Sequence, residues 1–192
     1  VKDMLSLVQN ETRRIDSKFL DPACGDGNFL EEVILQKLIL LKQINKKDQL
    51  NYEKNLFLIV ANTYGIELLE DNVLKCRERI FKIVSEIYLK KFQSNSNSKF
   101  IKSLNFVISK NIVHGDSLTN KNPSNGEYLK FSEWVFTTRS LVKRRDFLYK
   151  ELIENSIIND SPLFAINESK VFIPDPHKDF NAIHFYELAS HV

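Results

Sequence analysis

Four stretches of the chain carry apolar residues at the three- and four-residue spacing of an amphipathic helix. In the stretch that begins at Asn28, apolar residues such as Phe29, Val33 and Leu38 would share one helix face. The stretch that begins at Ser140 differs because its polar face is strongly basic. The predicted helices span residues 1–16, about Asn28 to Ile44, Asp71 to about Lys91, and Ser140 to about Glu154.

Short apolar and β-branched runs lie between these helices and predict strands. Leu56–Ala61 fits either a strand or a helix. Two polar stretches, Gln93–Lys99 and Asn120–Gly126, predict loops, and we expect the first to be mobile. Because helices and strands alternate, the pattern predicts an α/β fold whose mostly parallel sheet is covered by helices on both faces. The predicted strands are Lys18–Leu20, Thr63–Glu67, Asn105–Ile108, Asn111–His114, Tyr128–Phe136, Leu163–Ile166 and Lys170–Ile173.

The composition is ordinary for a globular domain. The 192 residues suffice for one domain with a core, and 43% of them are hydrophobic and 27% charged. No apolar stretch approaches the roughly 18 residues of a membrane span, and no signal peptide is visible. The chain begins at Val1 rather than methionine, which leaves a start further upstream open. With only two cysteines, Cys24 and Cys76, we expect a reduced, cytoplasmic protein. Neither the cysteines nor the histidines show metal-ligand spacing, so we expect no metal. Without a candidate span we also expect no membrane.

The net charge of +2 neither favours nor excludes nucleic acid as a partner. Any contact with DNA would depend on a local cluster of cations. The predicted basic helix supplies one candidate cluster, whose cations would neutralise phosphates if they faced outward. The alternative is a solvated helix face whose charge is tempered by neighbouring acidic residues. The cations of this cluster are Arg139, Lys143, Arg144 and Arg145.

The run Phe-Leu-Asp-Pro-Ala-Cys-Gly-Asp-Gly-Asn-Phe-Leu at residues 19–30 joins a predicted strand to a predicted helix. Gly25 and Gly27 allow a tight turn there and leave backbone amides uncovered at the start of the helix. These amides and the helix dipole favour an anionic or polar ligand. The structural alternative is that Asp21 caps the turn and Asp26 caps the helix.

Two further acidic residues follow predicted strands. Glu67 ends its strand, and its carboxylate can accept hydrogen bonds from both hydroxyl groups of a ribose. Asp116 follows the strand that ends at His114, and its carboxylate suits the amino group of an adenine ring. Ligands of α/β sheets lie beyond the carboxyl ends of the strands, so we expect these residues and the glycine run to meet. The alternatives are a solvated helix-entry acid at Glu67 and an ordinary turn residue at Asp116.

In this order and at these spacings, the runs at residues 19–30, 64–67 and 113–118 resemble the first three motifs of adenine-specific DNA methyltransferases, which bind S-adenosylmethionine (SAM). The resemblance covers about residues 1–118. It implies a Rossmann-like SAM-dependent methyltransferase fold, with a SAM-binding region over residues 1–119. Residues 120–192 would complete the sheet and add the basic helix within a single domain. The resemblance assigns the methionine portion of SAM to Asp21, Ala23, Gly25 and Gly27, the ribose to Glu67, and the adenine to Asp116.

Two features depart from that family. Asp26 stands where the family more often has a small hydroxyl residue, and its carboxylate would repel the SAM carboxylate unless it points away. The family's catalytic motif, Asn-Pro-Pro followed by Tyr or Phe, is missing, since the nearest run at Asn122–Asn125 lacks the second proline and the aromatic residue. Three explanations stay open: a part of a longer or split enzyme, a degenerate methyltransferase that binds SAM without transfer, or an unfamiliar catalytic group.

The leading hypothesis is therefore an adenine-specific DNA methyltransferase of a restriction-modification system, or its SAM-binding part, with DNA as partner. A competing hypothesis is a non-enzymatic, methyltransferase-like subunit that binds SAM, DNA or a partner chain, such as a second methyltransferase chain or a specificity chain. The aromatic region around Trp134, which we expect to be core or partner interface, is consistent with the competing hypothesis. A methyltransferase for RNA or protein is a third hypothesis.

Overall fold

The computed structural model describes residues 13–44, 48–158 and 175–190. Residues 1–12 of the first predicted helix and the two predicted strands between residues 163 and 173 lie outside these ranges. The helices are α1 (Asn28–Ile44), α2 (Gln49–Ala61), α3 (Glu70–Phe92), α4 (Ser98–Asn111) and α5 (Tyr149–Ile158), with 3-10 turns at Gln93–Asn95 and Leu188–Ser190. The strands are β1 (Phe19–Asp21), β2 (Thr63–Glu67), β3 (Ile112–His114), β4 (Lys130–Phe136), β5 (Leu141–Leu148), β6 (Lys178–Asp179) and β7 (Ile183–His184).

The first three strands form a parallel sheet in the order β1-β2-β3. Phe19 of β1 lies opposite Thr63 of β2, and Gly65 of β2 lies opposite Ile112 of β3. The pair α1 and α2 connects the first two strands, and the pair α3 and α4 connects the next two, since parallel strands require long crossover connections. The predicted α/β fold with parallel strands is therefore confirmed for this part of the chain.

Helices α1 to α4 pack together over one face of the parallel sheet. The apolar stripe that predicted α1 is the buried one, because the side chains of Leu30, Val33 and Ile34 are fully buried. Helix α3 buries Ile80 and Val84, which lie in the same hydrophobic cluster as Leu30 and Ile34. Burial of both stripes brings the first turns of α1 and α3 close to the carboxyl ends of β1 and β2.

The opposite face of the parallel sheet is covered by residues that follow β3. Ile66 of β2 packs there against Phe131 and Tyr149. The ring of Tyr64 meets Phe131 edge-on at 5.4 Å, and its hydroxyl donates to the carbonyl of Ser132 at 3.1 Å. Within the described residues, those beyond residue 120 form a second sheet, which packs against the first. This differs from the prediction that the C-terminal part completes the parallel sheet.

The second sheet is antiparallel, so the prediction of a mostly parallel sheet is wrong for this half of the protein. Strands β4 and β5 form a hairpin, and β6 and β7 pair with the other edge of β5. The predicted basic helix from Ser140 is wrong as far as residue 148, because these residues form β5 and helix α5 begins only at Tyr149. The amide of Thr137 donates to the carbonyl of Leu141 at 2.9 Å and closes the hairpin. Pairing with β4 therefore outweighs the local helix pattern.

Asn105–Ile108, which the sequence predicted as a strand, lies in helix α4. The side chain of Asn97 caps this helix by accepting from the amides of Lys99 at 3.0 Å and Phe100 at 3.3 Å. Leu56–Ala61, which fitted either element, is the end of helix α2. In both stretches the short apolar run is the buried stripe of a longer helix.

In the polar stretch Gln93–Lys99, where the sequence predicted a mobile loop, the first five residues form a turn between α3 and α4 and the last two begin α4. Gln93–Asn95 forms a 3-10 turn. The hydroxyl of Tyr88 accepts from the amide of Asn97 at 2.8 Å. This contact and the cap at Asn97 hold the backbone of the turn against α3 and α4.

Trp134 is a core residue, which is the first of the two alternatives predicted for it. It is 5% exposed, and its indole Nε1 donates to Oδ1 of Asn111 at 3.0 Å. The amide group of Asn111 in turn donates to the carbonyl of Ala61 at 3.0 Å. The hairpin is therefore attached to the ends of α2 and α4 through buried polar contacts.

Glu133 of β4 connects three strands through ion pairs. Its carboxylate lies 2.9 Å from Nζ of Lys18, next to β1, and 2.7 Å from Nη2 of Arg145 on β5. Burial acts to raise the pKa of Glu133, but the two cations outweigh it and the pKa falls below its ordinary value of 4.5. A carboxylate whose pKa is depressed by folding contributes stability above its unfolded pKa, and this contribution disappears as the pH falls through the folded value.

We therefore expect Glu133→Gln to lower the free energy of unfolding by about 1 kcal/mol near neutral pH. The difference from the wild-type protein should shrink as the pH falls below the ordinary carboxyl pKa of 4.5 and disappear below the lowered pKa of the folded state. Urea unfolding at several pH values measures this difference. Glu127→Gln is the control, because that carboxylate is 67% exposed and 3.9 Å from its partner Lys130. A Glu133→Gln difference that is the same at neutral and acidic pH would contradict the assignment.

Candidate cofactor site

The carboxyl ends of β1, β2 and β3 bring the predicted acidic residues to one edge of the sheet. Asp21 is the last residue of β1. Glu67 is the last residue of β2 and lies opposite His114 at the end of β3. The amide of Gly115 donates to the Glu67 carbonyl at 2.9 Å, and Asp116 follows directly. The three predicted places are therefore neighbours along this edge.

Residues 21–27, here called the glycine turn, connect β1 to α1. Oδ1 of Asp21 accepts from the amide of Ala23 at 3.1 Å, which closes the first half of the turn. The amide of Cys24 donates to a carbonyl of β2 at 3.0 Å and attaches the turn to the sheet. Gly25 and Gly27 have φ angles of +54° and +91°. Residues with a side chain rarely adopt such angles, so this path requires glycine.

Two buried thiols form the floor of the glycine turn. A Cβ atom at Gly27 would lie 2.6 Å from Sγ of Cys76, and one at Gly65 would lie 2.8 Å from Sγ of Cys24. The hydrogen bond between the two thiols, together with burial, raises the pKa of Cys24. A buried thiol that stays protonated is a poor nucleophile. We therefore assign this pair a packing role beneath the turn.

Glu67 connects the glycine turn to the start of α3. Its Oε2 accepts from the amide of Gly25 at 2.9 Å, and its Oε1 accepts from the amide of Leu69 at 3.0 Å. Oε1 also accepts from Nδ2 of Asn72 at 3.5 Å. Each carboxylate oxygen has two lone pairs, so the remaining capacity of Glu67 to accept a hydrogen bond lies on Oε2. The alternative role of Glu67, a solvated acid at the start of a helix, accounts only for its contact with Leu69. The contact with Gly25 joins two parts of the chain that lie 42 residues apart.

Asp116 lies in a tight turn after β3. Its Oδ1 accepts from the amide of Leu118 at 2.9 Å, and its Oδ2 accepts from the hydroxyl of Thr119 at 3.0 Å. These hydrogen bonds, that of the Leu118 amide above all, lower the pKa of Asp116 below its ordinary value. Asp116 therefore stabilises a turn, as the alternative interpretation predicts. It also fixes an ionised acceptor at the edge of the sheet.

Three leucines, here called the leucine rim, are exposed beside these acidic residues. Leu68 and Leu69 follow Glu67 and are 54% and 56% exposed, and Leu118 lies two residues after Asp116 and is 91% exposed. Exposed apolar side chains next to fixed polar groups suit a ligand that carries a flat apolar ring. This rim was not predicted from the sequence. The only local sign of it is a leucine within two residues after Glu67 and after Asp116.

Asp26 points toward helix α3. Nη2 of Arg79 donates to its Oδ2 at 2.7 Å, and the side-chain amide of Asn28 donates to its Oδ1 at 2.6 Å. These partners differ from the helix-cap role that the sequence suggested. Arg79 was not among the predicted site residues, because nothing close to it in the sequence marks it as a partner of the glycine turn.

The four predicted DNA-contacting cations lie on or beside the β4–β5 hairpin, and each has an acidic partner. Successive residues of a strand point to opposite faces, so Lys143 and Arg145 do not share a face with Arg144. The internal pairs balance much of the charge that a basic helix would have presented. They are Arg139–Asp48 at 3.8 Å, and Lys143–Asp179, Arg144–Asp146 and Arg145–Glu133, each at 2.7 Å.

Asn122, in the run nearest to the missing catalytic motif, lies in the loop after β3. Its Nδ2 donates to the carbonyl of His114 at 3.1 Å. Its Oδ1 accepts from the amide of Ser124 at 2.8 Å. Both ends of the side-chain amide are therefore engaged in holding the loop.

In the part of the chain that the structure describes, no group of three or more His, Cys, Asp or Glu residues could hold a metal ion. None of the helices described there is long and apolar enough to cross a membrane. No protein-family model, curated protein or solved structure matches this chain. The interpretation of the site therefore depends on its residues and geometry.

Proposed function

We propose that the chain binds SAM at the carboxyl edge of its parallel sheet, as the SAM-binding part of an adenine-specific DNA methyltransferase. The observation that carries the proposal is the position of Glu67. Its carboxylate accepts from the amide of Gly25 in the glycine turn and from the amide of Leu69, which follows the exposed Leu68. In this interpretation the three parallel strands are one half of a Rossmann-like sheet, whose nucleotide ligand lies beyond the ends of the strands.

Each part of SAM has a matching group at this edge. The glycine turn, which begins at Asp21, would hold the methionine portion, whose carboxylate is favoured by the first amides of α1. Glu67 would accept hydrogen bonds from the ribose hydroxyls. Asp116 would accept from the adenine amino group, and Leu68 and Leu118 would exclude water from the faces of the ring.

Bound SAM would supply an activated methyl group for transfer to the amino nitrogen of adenine. The chain's own contribution is binding and orientation. The lowered pKa of Asp116 keeps its carboxylate an acceptor across the neutral pH range. The contact with Gly25 holds the glycine turn beside the proposed ribose-binding carboxylate, and the contact with Leu69 orients that carboxylate.

Titration calorimetry with SAM and with S-adenosylhomocysteine (SAH) tests this proposal. We expect micromolar dissociation constants for both ligands, about −8 kcal/mol. Asp116→Asn should weaken binding of both ligands about tenfold, because the amide that replaces one oxygen donates rather than accepts. The control is Asp71→Asn, whose carboxylate is 68% exposed and pairs with Lys75. Absence of binding of either ligand at about 1 mM would contradict the proposal.

A second candidate is a methyltransferase-like subunit that binds SAM but leaves transfer to a partner chain. Asn122 favours this candidate, because its side-chain amide is committed to the loop and has no second proline or aromatic residue beside it. Incubation of the chain alone with DNA and methyl-labelled SAM distinguishes the two. Methylated adenine would support an enzyme that acts alone. SAM binding without labelled DNA would support the subunit, with a second methyltransferase chain or a specificity chain as its partner.

A further inference from the structure

We infer that Arg79 is a positioning residue of this site, which holds the carboxylate of Asp26 toward helix α3 and neutralises it so that the SAM carboxylate can approach the glycine turn. This inference rests on the proposed function and deepens it. It explains how a carboxylate at position 26 is compatible with an anionic ligand group at the same turn.

The guanidinium of Arg79 contacts both the side chain and the backbone of the glycine turn. Its Nη2 donates to Oδ2 of Asp26 at 2.7 Å, and its Nε donates to the carbonyl of Asp26 at 3.0 Å. Its Nη1 donates to Oε2 of Glu31 in the first turn of α1 at 2.7 Å. One side chain of α3 therefore fixes the peptide that precedes Gly27 and two carboxylates near it.

The charges of this cluster are partly shielded from solvent. The side chains of Arg79, Asp26 and Glu31 are 34%, 38% and 28% exposed. The hydrogen bond to Glu31, with the charge of Asp26, raises the pKa of Arg79, so the guanidinium stays charged at every pH of interest. Charges at such positions interact more strongly than in bulk water. Loss of Arg79 would leave two carboxylates without their cation beside the glycine turn.

A lysine would not reproduce this arrangement. The planar guanidinium presents donors in three directions at fixed angles, whereas an ammonium group is a single point charge. The three contacts of Arg79 use that fork to reach one backbone and two side-chain acceptors. The role therefore combines orientation of the turn with neutralisation of its charge.

The experiment compares SAM with decarboxylated SAM, which lacks only the carboxylate. We expect Arg79→Gln to weaken the binding of SAM at least tenfold and the binding of decarboxylated SAM less than threefold. Only SAM has a carboxylate that the unpaired carboxylates of Asp26 and Glu31 would repel. Adding Asp26→Asn to that variant should restore SAM binding to within about threefold of wild type, since repulsion from position 26 is removed. The control is Lys75→Gln, which removes a cation that is 61% exposed on the same helix and should change neither affinity.

The single variant Asp26→Asn keeps the inference testable if Arg79→Gln does not fold. Asp26→Asn frees Arg79 from one of its two acidic partners, so SAM should bind more tightly by a few-fold while decarboxylated SAM does not. Equal losses for both ligands in Arg79→Gln, or no gain for SAM in Asp26→Asn, would overturn the inference and leave the proposed function standing. Wild-type protein that binds neither ligand would overturn both.

Discussion

We expect replacement of Glu67 by glutamine to weaken SAH binding by about 100-fold or more, which corresponds to about 2.7 kcal/mol. Glutamine has the same size but only one acceptor oxygen. Glu67 uses one oxygen for the amide of Gly25 and the other for the amide of Leu69. In either orientation of the glutamine, its NH2 group would face a backbone N–H. The glycine turn or the start of α3 then loses its acceptor, and the ribose loses a partner as well.

Glu70→Gln is the matched control for this prediction. Glu70 lies in the first turn of α3, three residues from Glu67, and is exposed. It carries the same charge near the same edge, so general electrostatic attraction would be lost to a similar extent in both variants. Calorimetric titration should show less than a twofold effect for Glu70→Gln. Equal affinities of the Glu67→Gln variant and the wild-type protein would show that Glu67 is not a ligand-binding group.

We expect replacement of Gly27 by alanine to lower the free energy of unfolding by about 3 kcal/mol, and Gly25→Ala to lower it by about 1 kcal/mol. Both residues have positive φ angles. A Cβ at Gly27 would also lie 2.6 Å from Sγ and 3.3 Å from Cα of Cys76, while one at Gly25 meets nothing within 4 Å. Gly27→Ala therefore pushes the glycine turn away from helix α3, and Gly25→Ala imposes only the backbone strain.

Urea unfolding of the two variants separates backbone strain from close packing. Both variants place alanine at a positive φ angle, but only Gly27→Ala also creates a close contact. The difference between them measures how closely the turn lies on the thiol of Cys76. Equal losses for Gly25→Ala and Gly27→Ala would mean that the turn does not pack on α3. In that case the thiol floor would not support the site.

Elements with strong local signals were predicted accurately. Helix α1 was expected from about Asn28 to Ile44 and has those bounds, and β2 was expected at Thr63–Glu67 and lies there. The glycine turn marks the start of α1, and apolar residues at helical spacing run through its length. The edge at which the acidic residues meet followed from the same signals, because parallel strands end together.

Elements whose structure depends on distant contacts were not predicted. The residues of β5 have a helical apolar spacing, but the pairing of Arg145 with Glu133 and the hairpin as a whole decide their conformation. Asn105–Ile108 is apolar enough for a strand, and only the cap at Asn97 marks it as part of a helix. Short runs carry too little periodicity to separate the two.

The same limit applies to the candidate site. The acidic residues were found because each follows a strand, whereas Arg79 contacts Asp26 from 53 residues away. No local pattern links those two residues. Leu68 and Leu118 were overlooked because an apolar residue after a strand is ordinarily buried, and their exposure became visible only in the folded chain.

Backbone amide chemical shifts of the isotope-labelled chain, recorded while SAH is added, test the location of the site most directly. We expect the largest shifts at Gly25, Gly27, Leu68 and Leu118. The shifts of the β4–β5 hairpin, which lies outside the site, should not change. Saturable shifts confined to the hairpin, or none at the glycine turn, would contradict a cofactor site at the carboxyl edge of the parallel sheet.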